Sequence, residues 1–424
     1  MPTLFADPAT YVPVDGMGLW WLGNPAQPVR VGTLNLVRAT RGVSLRYDPH
    51  WLLTGFALSE DLPLTGKTFL PTEKDTAAGA VNDARPDRWG ERVIRFLDKP
   101  ARLSLLEYLL FAGDERFGAL GVSAQIDAYQ PRLTGPLPLL QDLPALHRLV
   151  QQVVAGDPVA PEHRHLLTPG ATLGGARPKA LMHLEGSAWV VKFSEPGDPV
   201  DTPLLEHASM TLAARAGIVV AQTQPLPLAT ATGQRPSHAV AVRRFDRLGT
   251  QRRHALSADV ALRAAGEPMA YAALAQILRR RGVAQHHTHT VHMHELFRRM
   301  VFNILIDNTD DHEKNHVLLM NDRHEYELAP AFDVLPALQS LGYQQLQVGT
   351  DMADATLANA LTQAHLFGLK TTQAHALVKE VVAVVSQWRP HFAQRGMTER
   401  DLDTIAQHLD RPFLRSQRRE WGGG

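Results

Sequence analysis

Apolar and polar residues alternate along much of the first third of the chain and fall into three-and-four spacing along most of the last third. Val31 to Val37 and Val43 to Tyr47 are rich in strand-forming residues and flank the turn-like Thr40-Arg41-Gly42, which predicts a hairpin. Helical spacing follows Pro86 over Asp87 to Leu97, and Gly113 to Gly118 reads as a turn between apolar segments. Gln130 to Pro138 holds three prolines and a glycine and predicts a domain boundary. A helix is expected over Leu143 to Val154, a glycine-containing segment over Thr168 to Lys179, and strands over Ala180 to Leu184 and Ala188 to Phe193. Thr202 reads as an N-cap with Pro203 at the first helical position. Leu205, Ala208, Leu212 and Ala216 supply the apolar stripe, and Gly217 the stop. Strand-like Ala239 to Val242 runs into Arg244-Phe245-Asp246-Arg247, and the remainder is mostly helical, with Glu295 to Ile306 and Thr371 to Trp388 the clearest patterns. Thr398 to Asp401 resembles a capping box. A β-rich part thus precedes a helical part, an order in which a nucleotide often occupies the cleft between two lobes.

Composition narrows the class without changing this picture. The chain has 424 residues, 44% of them hydrophobic and 20% charged, too many for one ordinary core and ordinary for a globular protein. Lys plus Arg (43) equals Asp plus Glu (43), so no overall charge excess points to nucleic acid or an anionic membrane as the main partner. The absence of cysteine excludes disulfides, thiolate nucleophiles and Cys-ligated zinc. No basic stretch with an apolar core opens the sequence, and no apolar run approaches the ~20 residues that span a bilayer, so a cytoplasmic location is expected.

The chemistry concentrates between Glu295 and Pro336. An apolar helix ends near Ile306 and gives way to the polar loop Asn308-Thr309-Asp310-Asp311-His312-Glu313-Lys314-Asn315. A strand (Val317 to Met320), a turn at Asn321-Asp322, a second strand around Tyr326 to Leu328 and Ala331-Phe332-Asp333 follow. In a kinase catalytic loop an Asp orients the acceptor hydroxyl and an Asn five residues on holds Mg²⁺, with a second metal-binding Asp after the next hairpin. Asp310, Asn315 and Asp333 match that order, and two oxygen ligands plus phosphates and waters suit Mg²⁺. The β-rich part offers the phosphate side. Gly170 to Ala176 is a glycine-rich loop, though neither a Walker A nor a G-x-G-x-x-G pattern. Lys192 ends a strand and Glu206 lies in the next helix, the arrangement of a strand lysine and helix glutamate that fix nucleotide phosphates.

Several segments resemble the HipA family of toxin–antitoxin kinases. Leu173-Gly174-Gly175-Ala176-Arg177-Pro178-Lys179-Ala180 looks like its G-A-x-x-K-type loop, Arg244-Phe245-Asp246-Arg247 like its R-F-D-R segment, and Asn308 to His316 like its N-T-D-x-H-x-K-N core. Leu328 to Asp333 looks like L-x-P-x-Y/F-D, while Asp83 to Gly90 and Gly118-Ala119 extend the likeness toward the N-terminus. The resemblance implies an α+β, two-lobed protein-kinase-like fold, divided into an N-terminal β-rich subdomain (1–130), a nucleotide-covering region (131–250) and a mostly helical C-terminal lobe (251–424). It implies Asp310 as catalytic base, Asn315 and Asp333 as Mg²⁺ ligands, and Lys192 on the ATP phosphates with Lys179, Glu206 and the loop Thr172, Leu173, Gly174, Gly175 and Ala176. His312 is expected beside the nucleotide and Phe245 at the adenine edge. Some members phosphorylate an aminoacyl-tRNA synthetase, and a loop serine is their autophosphorylation site; Thr172 stands there in this chain. Arg243 stands where an acidic residue is common. A HipB-like DNA-binding antitoxin is the implied partner, so DNA would be met only indirectly.

Two other readings compete. A small-molecule phosphotransferase shares the Asp–x₄–Asn spacing. His312-Glu313-Lys314-Asn315-His316 also satisfies the H-E-x-x-H zinc peptidase pattern, which needs both histidines on one helical face. The run His286, His287, His289, His292 and His294 reads as a solvated loop or helix start rather than a metal site.

Overall fold

In the computed structural model, which describes residues 11–132, 135–160, 163, 166–170, 175–229 and 237–422, the N-terminal alternation becomes a five-stranded antiparallel sheet. Its spatial order is Thr68–Phe69, Gly42–Tyr47, Val29–Val37, Gly16–Trp21, Leu120–Ser123. The expected hairpin is present, with Leu34 opposite Leu45 and Val37 opposite Gly42. Met17, Leu19, Val31, Leu34, Val43 and Leu45 are fully buried. Gly32 is required by close approach, because a Cβ there would stand 2.2 Å from the carbonyl oxygen of Arg46. The helix Leu105–Phe111 packs on this sheet behind a capping box made by Ser104 and Glu107.

The chain divides into two compact units. One comprises Met1–Lys192, Arg244–Ala265 and Leu319–His324; the other Phe193–Arg243, Gly266–Leu318 and Glu325–Gly424. The first unit also contains the helix Leu143–Ala155, which buries Leu146, Leu149, Val150 and Val153, and the antiparallel hairpin Lys179–Leu184 with Ser187–Lys192. Helical spacing after Pro86 yields the short helix Arg88–Val93, continued by a wider π turn over Ile94–Asp98.

The second unit is mainly helical. Thr202–Arg215 is capped by Asp201, whose side chain accepts from the Leu204 N–H, so the cap lies one residue earlier than the Thr202 read from sequence. Thr202 is instead the first helical residue, and Pro203, which lacks an N–H, is still tolerated in the first turn. The helix packs on the antiparallel hairpin Thr223–Leu228 with Ser237–Arg243. The apolar helix expected from Glu295 starts two turns earlier and spans Thr288–Leu305, so His289, His292 and His294 are helical rather than loop residues. Tyr271–Arg281, Leu357–Thr362, Thr371–Val385, Trp388–Gln394, Glu399–Leu409 and Pro412–Gly422 are further helices of the unit, with Thr398 capping as expected. No helix among the described residues is long and apolar enough to cross a membrane.

The Arg244–Arg247 segment is fixed by buried charge inside the first unit. Asp246 is fully buried and accepts from Arg244 (2.7 Å), Arg247 (2.6 Å) and the Gly118 N–H (2.8 Å). Arg244 also donates to the Glu115 carbonyl and Arg247 to the Arg116 carbonyl, so the Gly113–Gly118 turn is tied to the later segment at several points. Burial alone would raise the Asp246 pKa, but the two guanidinium groups hold it at about 2. Removing one partner of such a cluster leaves uncompensated buried charge. Asp246→Ala is therefore expected to lower stability by about 3–5 kcal/mol, read as a shift in the urea midpoint at constant slope.

Candidate active site

Within the second unit, the loop after Thr288–Leu305 is shaped by its own backbone. Asp307 sits in the left-handed region (φ 56°), which ends the helix. Asn308 then folds back, its N–H donating to the Asn303 carbonyl (2.9 Å) and its Nδ2 to Asn303 Oδ1 (3.1 Å). The His312 N–H donates to the Asp310 carbonyl and the Asn315 N–H to the His312 carbonyl, both at 2.9 Å, winding Glu313–Asn315 into a single tight turn. Asn315 Nδ2 reaches the Asp310 carbonyl at 3.3 Å. The loop thus brings Asp310 and Asn315 together through one side chain and two backbone bonds.

Beneath these residues lies a buried polar cluster that the sequence did not single out. Asp311 is 2% exposed, and its Oδ2 receives the Tyr271 hydroxyl and His316 Nε2, the latter at 2.9 Å. Burial pushes the Asp311 pKa up, but His316 and Tyr271 outweigh it and hold the carboxyl below its usual range. The Tyr271 and His316 rings meet edge-on at 5.4 Å. A narrow pocket beside them is lined by Arg299, Asn303, Asp311, Asn315, His316 and Phe332. A signal for this cluster was present: Asp311 and His316 repeat, one position later, the five-residue spacing of Asp310 and Asn315. Tyr271, forty residues upstream, carried none.

Phe332-Asp333 is positioned by strapping rather than by regular structure. The Ala331 N–H donates to the Val219 carbonyl and the Ala221 N–H to the Ala331 carbonyl, both at 2.8 Å. Arg299, itself paired with Glu295, donates to the Ala329 carbonyl at 2.7 Å. Asp333 itself adopts φ 57°, in the left-handed region that aspartate tolerates better than most non-glycine residues.

The remaining predicted residues are placed as follows. In the first unit Lys179 and Lys192 are cross-strand partners at the open end of their hairpin, and both are buried. Lys179 Nζ pairs with Asp87 at 2.7 Å, while its carbonyl accepts from Trp89 Nε1, also at 2.7 Å. Gly175 adopts φ 103°, a backbone conformation that favours glycine. Ala176 follows it, whereas Thr172, Leu173 and Gly174 lie outside the described residues. Phe245 meets Phe117 edge-on at 5.6 Å. In the second unit Glu206 is buried in Thr202–Arg215, and His312 is half-buried.

The zinc-peptidase geometry is not formed. His312 precedes the tight turn, His316 is committed to Asp311 through Nε2, and no α-helix carries the two rings on one face. Nor do the described residues hold any group of three or more His, Cys, Asp or Glu side chains placed for a metal ion. His292, half-buried in its helix, accepts the Leu328 N–H at 2.6 Å and so has a structural task.

Residues 171–388 match the HipA-like C-terminal domain and residues 26–123 the HipA N-terminal domain. No curated protein matches by sequence. Among solved structures, HipA from the Shewanella oneidensis MR-1 complex of HipA, HipB and operator DNA is 17% identical with a TM-score of 0.64, covering 95% of this chain and 97% of that one. The Helicobacter pylori proinflammatory kinase CtkA is 16% identical with a TM-score of 0.41, covering 59% of this chain and 91% of its own. The fold is mixed α and β, of the protein-kinase-like HipA type.

The helix end beside the catalytic-type loop carries a titration of its own. Burial raises Asp307 from the usual carboxyl range to about 6, against the opposing pull of Arg411 at 2.7 Å. The folded form therefore holds this proton more tightly than the unfolded chain. Its contribution to stability is present below about pH 4 and lost as pH rises through about 6. Wild type should lose about 1–2 kcal/mol relative to Asp307→Asn between those limits, measured as the difference in urea midpoints across the range.

Proposed function

The chain belongs to the HipA family, and on that footing we propose that it is an ATP- and Mg²⁺-dependent protein serine/threonine kinase, the toxin of a HipA-type toxin–antitoxin pair. The observation that carries this reading is the loop in which Asp310 and Asn315 are held together by the Asn315 Nδ2 bond, with the left-handed Asp333 following the next hairpin. Because Nδ2 is used within the loop, the carboxamide Oδ1 is the atom of Asn315 left for a cation. Oxygen atoms from Asn315 and Asp333 form a hard donor set that fits Mg²⁺, which keeps waters and phosphate oxygens for the rest of its shell.

When bound, Mg·ATP supplies the phosphoryl group and neutralises its developing charge. In this proposal Asp310 orients a Ser or Thr hydroxyl and takes its proton as that oxygen attacks in line. Lys192 and Lys179 are assigned to the phosphates together with the Thr172–Ala176 loop. Lys192 stands opposite Lys179 in the hairpin, and Lys179, paired with Asp87, shares the duty only in part. Glu206, His312 and Phe245 keep the roles that the resemblance implies: lysine partner, nucleotide neighbour and adenine edge.

The acceptor is proposed to be a bacterial protein, an aminoacyl-tRNA synthetase by family resemblance, with Thr172 as a site of self-modification. The solved Shewanella relative was captured with HipB and operator DNA. A HipB-like antitoxin is accordingly the proposed partner, through which DNA is reached indirectly, and the proposed compartment is the cytoplasm. A small-molecule phosphotransferase is distinguished by its acceptor alone.

Intact mass after incubation with Mg·ATP tests this directly. Wild type should gain phosphate at Thr172, and Asp310→Asn should gain none. A folded Asp333→Ala protein should lose at least 100-fold in ATP turnover, since positioning and charge neutralisation supply most of this catalysis. Undiminished turnover in that variant would remove Asp333 from the site.

A further inference from the structure

Asp310, which is exposed, and Asn315, which is buried, carry the proposed chemistry, and each is followed by a buried residue. Asp311 follows the first and His316 the second, so a bond between them closes the same five-residue loop at its base. The upper rung, Asn315 Nδ2 to the Asp310 carbonyl, is 3.3 Å long; the lower rung, His316 Nε2 to Asp311 Oδ2, is 2.9 Å. The shorter bond is also the drier one, with both side chains 3% exposed. A third group locks it from outside the loop. Tyr271, 0% exposed, donates its hydroxyl to the same Asp311 oxygen. Its backbone is pinned in turn, the Tyr271 N–H donating to the Gln347 carbonyl at 3.1 Å while the Gln347 N–H donates to Met269 at 2.9 Å.

We propose that Tyr271, Asp311 and His316 form a positioning clamp that sets the separation of Asp310 and Asn315, and thereby aligns the acceptor-orienting carboxylate with the cation-holding carboxamide. None of the three touches substrate in this proposal; they act through the two residues above them. Charged hydrogen bonds in a buried site are strong and directional, which a clamp requires. A loop without the 2.9 Å side-chain rung would keep the 3.3 Å bond and its two backbone bonds but sample a wider range of separations, and misplacement by about 1 Å can cost about 100-fold in rate. The inference rests on the kinase reading for its consequence, but the clamp itself is a statement about loop order.

The test therefore reads both. Tyr271→Phe removes a single oxygen and keeps the ring against His316; Asp311→Ala removes the centre of the cluster; Asp311→Asn keeps an oxygen for both donors. Hydrogen–deuterium exchange should speed up at least tenfold in the peptide covering residues 307–317 in Tyr271→Phe, while the helix Thr371–Val385 exchanges as in wild type. ADP release from Mg·ATP should fall at least tenfold in kcat with the Mg²⁺ half-saturation raised and the KM for ATP within about twofold. Asp311→Asn should recover most of the protection and turnover lost in Asp311→Ala. Wild-type exchange and kinetics in a folded Tyr271→Phe protein would overturn the clamp, whether or not Asp311→Ala folds. Faster exchange with unchanged kcat and Mg²⁺ dependence would overturn the positioning role. Absence of ADP release from the wild type would sink the kinase reading instead, and the exchange data alone would then decide whether the clamp orders the loop.

Discussion

Taking a carboxylate out of water costs several kcal/mol, and the chain does so at three of its recognisable segments. Asp87 is buried against Lys179, Asp246 between Arg244 and Arg247, and Asp311 between Tyr271 and His316. Asp87 and Asp311 each accept from a residue far along the chain, and Asp246 joins its two neighbouring arginines to the Gly118 N–H, so the segment cannot adopt another course without abandoning a buried charge. Apolar burial supplies the bulk of stability, but it tolerates substitution and repacking. Buried carboxylates do not, and they account for the fixed course of the Gly113–Gly118 turn, the Lys179 end of the hairpin and the loop of Asp310.

How far this was legible in the sequence depended on range. Periodicity over Val29–Val37, Gly42–Tyr47, Leu143–Ala155 and Thr371–Val385 was read correctly because each element decides its own pattern of burial. Helix ends were less so. Asp201 displaced Thr202 as cap because an aspartate side chain one residue upstream reaches the orphan N–H equally well. The histidine run hid the first turns of Thr288–Leu305, since histidine has no strong preference between helix and loop and its polarity masked the stripe. The local part of the candidate site, Asp310 with Asn315 and Asp311 with His316, stood in the spacing; its long-range support did not. Lys179 lies 92 residues from Asp87, and Tyr271 lies 40 from Asp311, distances at which a single sequence carries no signal of contact. The cross-strand pairing of Lys179 with Lys192 was equally invisible, because it requires the hairpin register rather than either residue alone.

The same distinction separates the two halves of the proposed chemistry. Asp310 and Asn315 belong to one short loop, so their separation is a property of that loop and is set locally by the rungs at 3.3 and 2.9 Å. Asp333 is reached only after a hairpin, and its position depends on backbone bonds to Val219 and Ala221 and on Arg299 reaching the Ala329 carbonyl. In the proposed function the two oxygen ligands thus have separate backbone supports, and Asp333 takes a left-handed backbone. A glycine would adopt that backbone more readily but remove the carboxylate. A small cation with strict octahedral demands and few protein ligands is well matched to such a site, because waters and phosphate oxygens complete whatever geometry the two side chains define. In the proposed reaction the Asp310 loop would then serve the acceptor side and Asp333 the nucleotide side.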